Sequence, residues 1–252
     1  MRYTDIGVAL LEHDADGRVV ATGLRLPLSG SPDVEQIADW IESVARTHDV
    51  RCLCIDGPSG WQGPDTPTRL QSKHCRLSEK RVRAPGKTGL PPDGVKPSPY
   101  LPFTRFSIAL FEVLTERGWT LPDGTHGSAH DATAPARLVT ETFPTAAWRA
   151  LGLPVLPGKA RSLKDAGVVP SALESLRSTF LLEVRNIHTH DELQAVVGGL
   201  AGVWWEAGQP DRVQLAGAPP FRLDGTWREG YIMVPAPFPH THDAHIAFTD
   251  DV

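Results

Sequence analysis

The sequence predicts a mixed α/β fold, and three observations carry that expectation. Apolar runs of strand length stand at residues 6–12, 19–26 and 51–56, helical periodicities alternate with them, and turn-forming residues separate the two kinds of segment. The first two runs flank Asp14-Ala15-Asp16-Gly17, whose glycine supplies the positive φ that a hairpin turn needs. Between residues 33 and 47, Val34, Ile37, Ala38, Ile41, Val44 and Ala45 recur at helical spacing. Residues 51–56 are almost continuously apolar, the pattern of a central strand covered on both faces, and they stop at Asp56-Gly57-Pro58. Asp56 is thereby placed at the C-terminal end of a strand.

Residues 57–101 hold many of the 23 prolines and read as an irregular, basic insertion. Within it, Thr66-Pro67 suits an N-cap and first helical position. A helix from that point lines up Arg69, Lys73, Arg76, Lys80 and Arg83 along one stripe, with Lys87 beyond it. A second helix is expected over residues 103–117. Residues 138–143 then alternate as a strand that puts Val139, Glu141 and Phe143 on one face, a costly place for an idle carboxylate.

Pro144 opens a short helix through residue 151, a link carries Lys159, Arg161 and Lys164, and a further helix is expected over 171–184. Thr189-His190-Asp191-Glu192 matches a capping box. The helix behind it has Leu193, Val196, Val197, Leu200, Val203 and Trp204 as its apolar face and Gly198, Gly199 and Gly202 as points of close approach. Residues 231–235 read as a late strand, and the tail from about 236 is poor in core residues. The whole, 1–252, is expected to be one domain.

Taken in order, Ile55-Asp56-Gly57-Pro58-Ser59-Gly60-Trp61, the basic segment from Arg69, Thr140-Glu141-Thr142-Phe143-Pro144, Asp191-Glu192-Leu193-Gln194-Ala195 and Glu229-Gly230-Tyr231-Ile232 cover most of the chain. This series resembles a family of uncharacterised predicted nucleases with the ribonuclease H-like fold. The resemblance implies a mixed sheet flanked by helices, with acids near the sheet centre and on a late helix coordinating magnesium or manganese. The family opens with a strand bearing an aspartate; here only residues 1–5 precede the hairpin, so that strand is missing or shortened. Gln194 stands where the family's helix more often has an aspartate, and Asp191 lies three residues earlier on roughly the same face.

Phosphodiester hydrolysis needs an activated water, shielding of the developing charge and stabilisation of the leaving alkoxide, and two hard cations held by scattered carboxylates supply all three. The candidate catalytic residues are Asp56, Glu141 and Asp191, with Asp5 as a fourth metal ligand. The stripe Arg69, Lys73, Arg76, Lys80 and Arg83 would neutralise substrate phosphates. Each has a plainer reading. Asp56 serves equally as a turn cap, Glu141 as one half of a buried ion pair with an arginine, Asp191 and Glu192 as acids facing a helix dipole, and the stripe as a solvated face. A zinc site through His188 and His190, or His240, His242 and His245, lacks the usual spacing, and Ser59 is not in a nucleophile elbow. Two functions follow from these residues: a metal-dependent nuclease using Mg2+ or Mn2+, or a catalytically silent domain of the same fold that binds nucleic acid or a protein.

Bulk composition narrows the classes. A formal net charge of -5 offers no whole-molecule attraction for nucleic acid, so any such binding must come from a local patch. Three cysteines are no disulfide framework, and Cys52 and Cys54 alternate in an apolar run as packing residues. No apolar run approaches the ~20 residues that cross a bilayer, and the first residues have no leader pattern, so a cytoplasmic protein without a membrane partner is expected.

Overall fold

A computed structural model of the chain describes residues 3–14, 17–65, 75–92, 94–124, 137–180 and 182–236. The architecture is mixed α/β, with mixed sheets flanked by helices. The chain folds as two compact units, each assembled from separated stretches. One consists chiefly of residues 31–143 and 215–233, the other of residues 2–30, 144–214 and the chain from 234.

In the first unit, helix α1 (Val34–His48) starts where Asp33 accepts a hydrogen bond from the Gln36 amide at 3.0 Å. It packs on α3 (Leu101–Glu116), and the buried side of α3 carries Ile108, Leu110, Phe111 and Leu114. The sheet here has strand order β3 (Cys52–Asp56), β6 (Leu138–Thr142), β9 (Thr226–Pro235), β8 (Val213–Leu223). β6 runs parallel to both neighbours, in a register that sets Glu141 beside Ile55 on one side and Ile232 on the other. All five β6 residues are buried. The strand covered on both faces is therefore β6; β3, for which the apolar run argued, ends the sheet order, and its cysteines are half-buried and in no disulfide.

The 57–101 segment is more regular than its proline content suggested. It contains α2 (Leu77–Arg81), a short hairpin of β4 (Lys87–Thr88) and β5 (Val95–Lys96), and a 3-10 turn over Ser98–Tyr100. Trp61, Val95 and Ile108 form a small core that anchors this segment, with Leu101 packed against it. β8 was not expected. Gly217 with φ 149°, Pro219 and Pro220 lie inside it, and these residues hide a strand from sequence patterns.

In the second unit the hairpin β1 (Val8–His13) and β2 (Val19–Leu24) forms as expected, and β2 pairs in parallel with β7 (Leu182–Arg185). The helix expected over 171–184 is α6 (Val168–Thr179); β7 takes its last residues because Leu182 and Val184 pair with Val19 and Ala21. Helix α7 (His190–Glu206) covers β1, and α4 (Pro144–Ala150), α5 (Lys159–Ser162) and α6 pack on it. Its capping box is complete: Thr189 Oγ1 accepts from the Glu192 amide at 3.2 Å, and Glu192 accepts from the Thr189 amide at 2.9 Å. Gly7 lets the chain of β1 meet this helix start, since a Cβ there would overlap the backbone of Asp191 and Glu192. Among the described residues, no helix is long and apolar enough to cross a membrane.

Candidate functional site

Two clusters of charged side chains stand out, one in each unit. The first surrounds Glu141. Period-two alternation on the central strand turns its carboxylate into the core, where Glu141 is 5% exposed. Arg76, the N-cap residue of α2, meets it with Nη1 2.9 Å from Oε2 and Nη2 2.8 Å from Oε1. The amide of Ser59 donates to Oε2 at 2.9 Å and its hydroxyl does so at 3.1 Å. Both carboxylate oxygens are thus occupied by protein donors, and the buried ion pair is what Glu141 forms in place of a vacant ligand position. The partner that occupies this carboxylate is Arg76, which the helical-stripe reading had sent to solvent.

Two more buried acids complete this cluster. Glu79 accepts from the Arg76 amide at 3.0 Å and, with both oxygens, from the Thr88 amide at 2.9 Å. Glu229, in a left-handed backbone conformation ahead of Gly230, accepts from the Gly63 amide at 2.8 Å and the Leu77 amide at 3.2 Å. Burial opposes the charge on Arg76, but Glu141 and then Glu79 more than reverse that effect, so its proton is held more tightly than on a free guanidinium. Burial pushes the Glu79 carboxyl above the usual range, and the pull of Arg76 and Thr88 does not cancel it. Chemically the cluster is a clamp: three acids bind backbone amides of the segments after β3, at α2 and at β4, and Arg76 offsets part of their charge. Neither Glu79 nor Glu229 was singled out from sequence as a site residue; the Glu229-Gly230 pair within a strand is the signal that marks an inward-turned acid.

The second cluster lies in the other unit. Lys159 Nζ is hydrogen-bonded to Asp191 Oδ2 and lies 3.2 Å from Asp5 Oδ1. His190 sets Nδ1 3.0 Å from Asp191 Oδ1 and Nε2 3.0 Å from the carbonyl of Pro157. The hydrogen bond from Lys159 to Asp191 raises its ammonium above the ordinary lysine range despite partial burial, with Asp5 adding to the effect. Gln194, about one turn into the same helix, uses its carbonyl oxygen to accept from the Trp148 indole at 2.9 Å.

The four expected metal ligands therefore fall into two pairs. Asp5 and Asp191 come together around Lys159 in one unit, while Glu141 is sealed by Arg76 and Asp56 ends β3 with an exposed side chain in the other. Among the described residues, no three His, Cys, Asp or Glu side chains are grouped to hold a metal ion. Magnesium and manganese want oxygen ligands free of other cations, and the carboxylates as arranged do not fit that need.

The basic stripe is also redistributed. Arg69 and Lys73 lie outside the described residues, Arg76 is fully buried, Lys80 is exposed on α2, and Arg83 is exposed beyond the helix end with φ 55°. A different basic feature emerges in the β4–β5 hairpin, whose register sets Lys87 directly opposite Lys96. No family model matches the chain, and no curated protein or solved structure matches it at a significant level.

Proposed function

We propose that this chain is a nucleic-acid-binding α/β domain of the ribonuclease H-like class that binds without hydrolysing. The observation that carries the reading is the cross-strand pair Lys87 and Lys96. Like charges directly opposite each other weaken a strand pair, and a hairpin shaped for stability alone would set an acid against one of them. The surroundings add to the imbalance. Lys80, Arg81 and Arg83 are exposed in the same stretch, and the single acid between residues 80 and 105, Asp93, lies outside the described residues. No carboxylate among the described residues pairs with Lys80, Arg83, Lys87 or Lys96. Tyr100, 48% exposed in the turn that follows β5, offers a ring on which an unpaired base can stack.

The hydrolytic alternative is weaker on the same geometry, because Arg76 and Lys159 hold Glu141, Asp5 and Asp191, three of the four carboxylates that a two-metal mechanism would use. Fluorescence anisotropy with labelled single-stranded RNA, single-stranded DNA and duplex DNA tests the reading. The expected result is binding that weakens steeply with salt and is lost in Lys87→Glu/Lys96→Glu, with each removed phosphate contact lowering the salt slope by roughly 0.7 to 0.9. Wild-type protein that binds none of the three at low salt, or a variant that binds as well as wild type, would sink it. Cleavage of the labelled strands in magnesium or manganese would restore the nuclease.

A further inference from the structure

Asp5 and Asp191 are distant in sequence and adjacent in space for a local reason. Gly7 has no side chain to keep the chain away from the first turn of α7, so Asp5 on one segment and Asp191 on the other present their carboxylates to a common point. Two like charges at that distance repel, and both stand in a setting only part-buried, with side chains 32% and 22% exposed. A cation between them offsets that repulsion.

The protein supplies one. Lys159 projects its ammonium onto both carboxylates, and its backbone is not a loose surface loop. The carbonyl of Pro157, two residues before it, accepts from His190 Nε2 at 3.0 Å and from the Ser162 hydroxyl at 3.0 Å. The same helix turn that bears Asp191 thus also fixes the segment that bears the lysine. A surface ion pair formed by chance would lack that second tether.

We propose that Lys159 is the resident cation of the Asp5–Asp191 pair, standing where a divalent ion would otherwise be held, and that the chain works without metal at these residues. A lysine brings one charge and three donors that cannot activate water, whereas magnesium or manganese would bring two charges and an open coordination sphere. The exchange accounts for a carboxylate pair brought together as for metal in a chain where Glu141 is sealed by Arg76. It also gives Gln194 its freedom: with no metal to ligate, the position takes an amide that hydrogen-bonds Trp148.

The test is a manganese titration followed by electron paramagnetic resonance, which counts free and bound Mn2+ without reference to activity. Wild type, Asp191→Asn, Lys159→Met, Lys159→Gln and Lys159→Met/Asp191→Asn are compared, each checked for native circular dichroism. Wild type is expected to show no saturable one-to-one site up to millimolar manganese. Both lysine variants are expected to gain one, with at least tenfold tighter binding than wild type, and the double variant to lose it. A wild-type site that disappears in Asp191→Asn overturns the proposal, since the carboxylates would then take metal in spite of the lysine. Lysine variants that fold and bind no more manganese than wild type overturn it as well. If neither lysine variant folds, the wild-type and Asp191→Asn titrations still decide it.

Discussion

The Arg76 guanidinium lies fork to fork on the Glu141 carboxylate, with contacts of 2.9 and 2.8 Å at a depth where the arginine is fully buried. Removing Arg76 leaves the Glu141 charge in the core without its counter-ion, and removing Glu141 leaves the buried guanidinium only its longer, 3.4 Å ion pair with Glu79. Arg76→Met and Glu141→Gln are each expected to destabilise the fold by about 3 to 5 kcal/mol, measured by urea denaturation. The double variant should lose distinctly less than the two single losses added together. Simple additivity would mean that the pair is not coupled as its geometry requires.

Lys96 opposes Lys87 in the β4–β5 hairpin, so stability and binding should move in opposite directions when one is reversed. Lys96→Glu is expected to gain about 0.2 to 1 kcal/mol by replacing a repulsive pair with an attractive one. The same variant should bind oligonucleotides more weakly, with a shallower salt dependence. Thermal melting and anisotropy on one preparation provide both readouts, and a variant that loses stability together with affinity would show a misread register.

The capping box of α7 predicts a pH-linked contribution. Burial would raise the Glu192 carboxyl, but the amides of His188 and Thr189 outweigh it and hold the group below the usual carboxylate value. A lowered folded value means that the group stabilises the fold above its ordinary value, and that this contribution is lost as the pH falls through the lower, folded one. Thr189→Ala should cost about 1 kcal/mol at neutral pH. Glu192→Gln should flatten the acid limb of the stability curve between those two values, as followed by denaturant midpoints. An unchanged acid limb would show that the carboxylate is not the linked group.

Gly7→Ala should be far more damaging than an exposed glycine replacement. Its Cβ would meet the backbone of Asp191 and Glu192, which cannot turn away as a flexible side chain does. Gly86→Ala, where nothing lies within 4 Å of the added carbon and φ is not positive, is the matched control. We expect a lowered melting temperature and loss of the Lys159 contact for the first, and near-neutrality for the second.

The parts of the molecule legible in the sequence were those whose signal is local and repeated. α1, α3 and α7 follow from apolar spacing and caps, and β6 with its inward Glu141 follows from strict alternation. What escaped depends on contacts far along the chain. The partner of Glu141 is 65 positions away, and helical spacing assigned Arg76 to a solvent stripe because α2 was taken to run further than Leu77–Arg81. β7 exists only because β2 offers it an edge, so its four residues looked like the end of a helix. The nearness of Asp5 to Asp191 rests on one missing side chain at Gly7, and the facing lysines rest on a hairpin register that no spacing rule supplies.

β8 closes one side of its sheet order and carries Pro219 and Pro220 in succession. Neighbouring residues of a strand point their amides to opposite sides, so two prolines in a row remove one donor from each. A strand from another molecule that tried to zip along this margin would meet a break in the ladder at that point, beside the bulky Phe221 and Arg222. The cost is a weaker join to β9 over the same two residues. The return is a margin along which growth of the sheet from one copy into the next meets a break beside an exposed apolar ring.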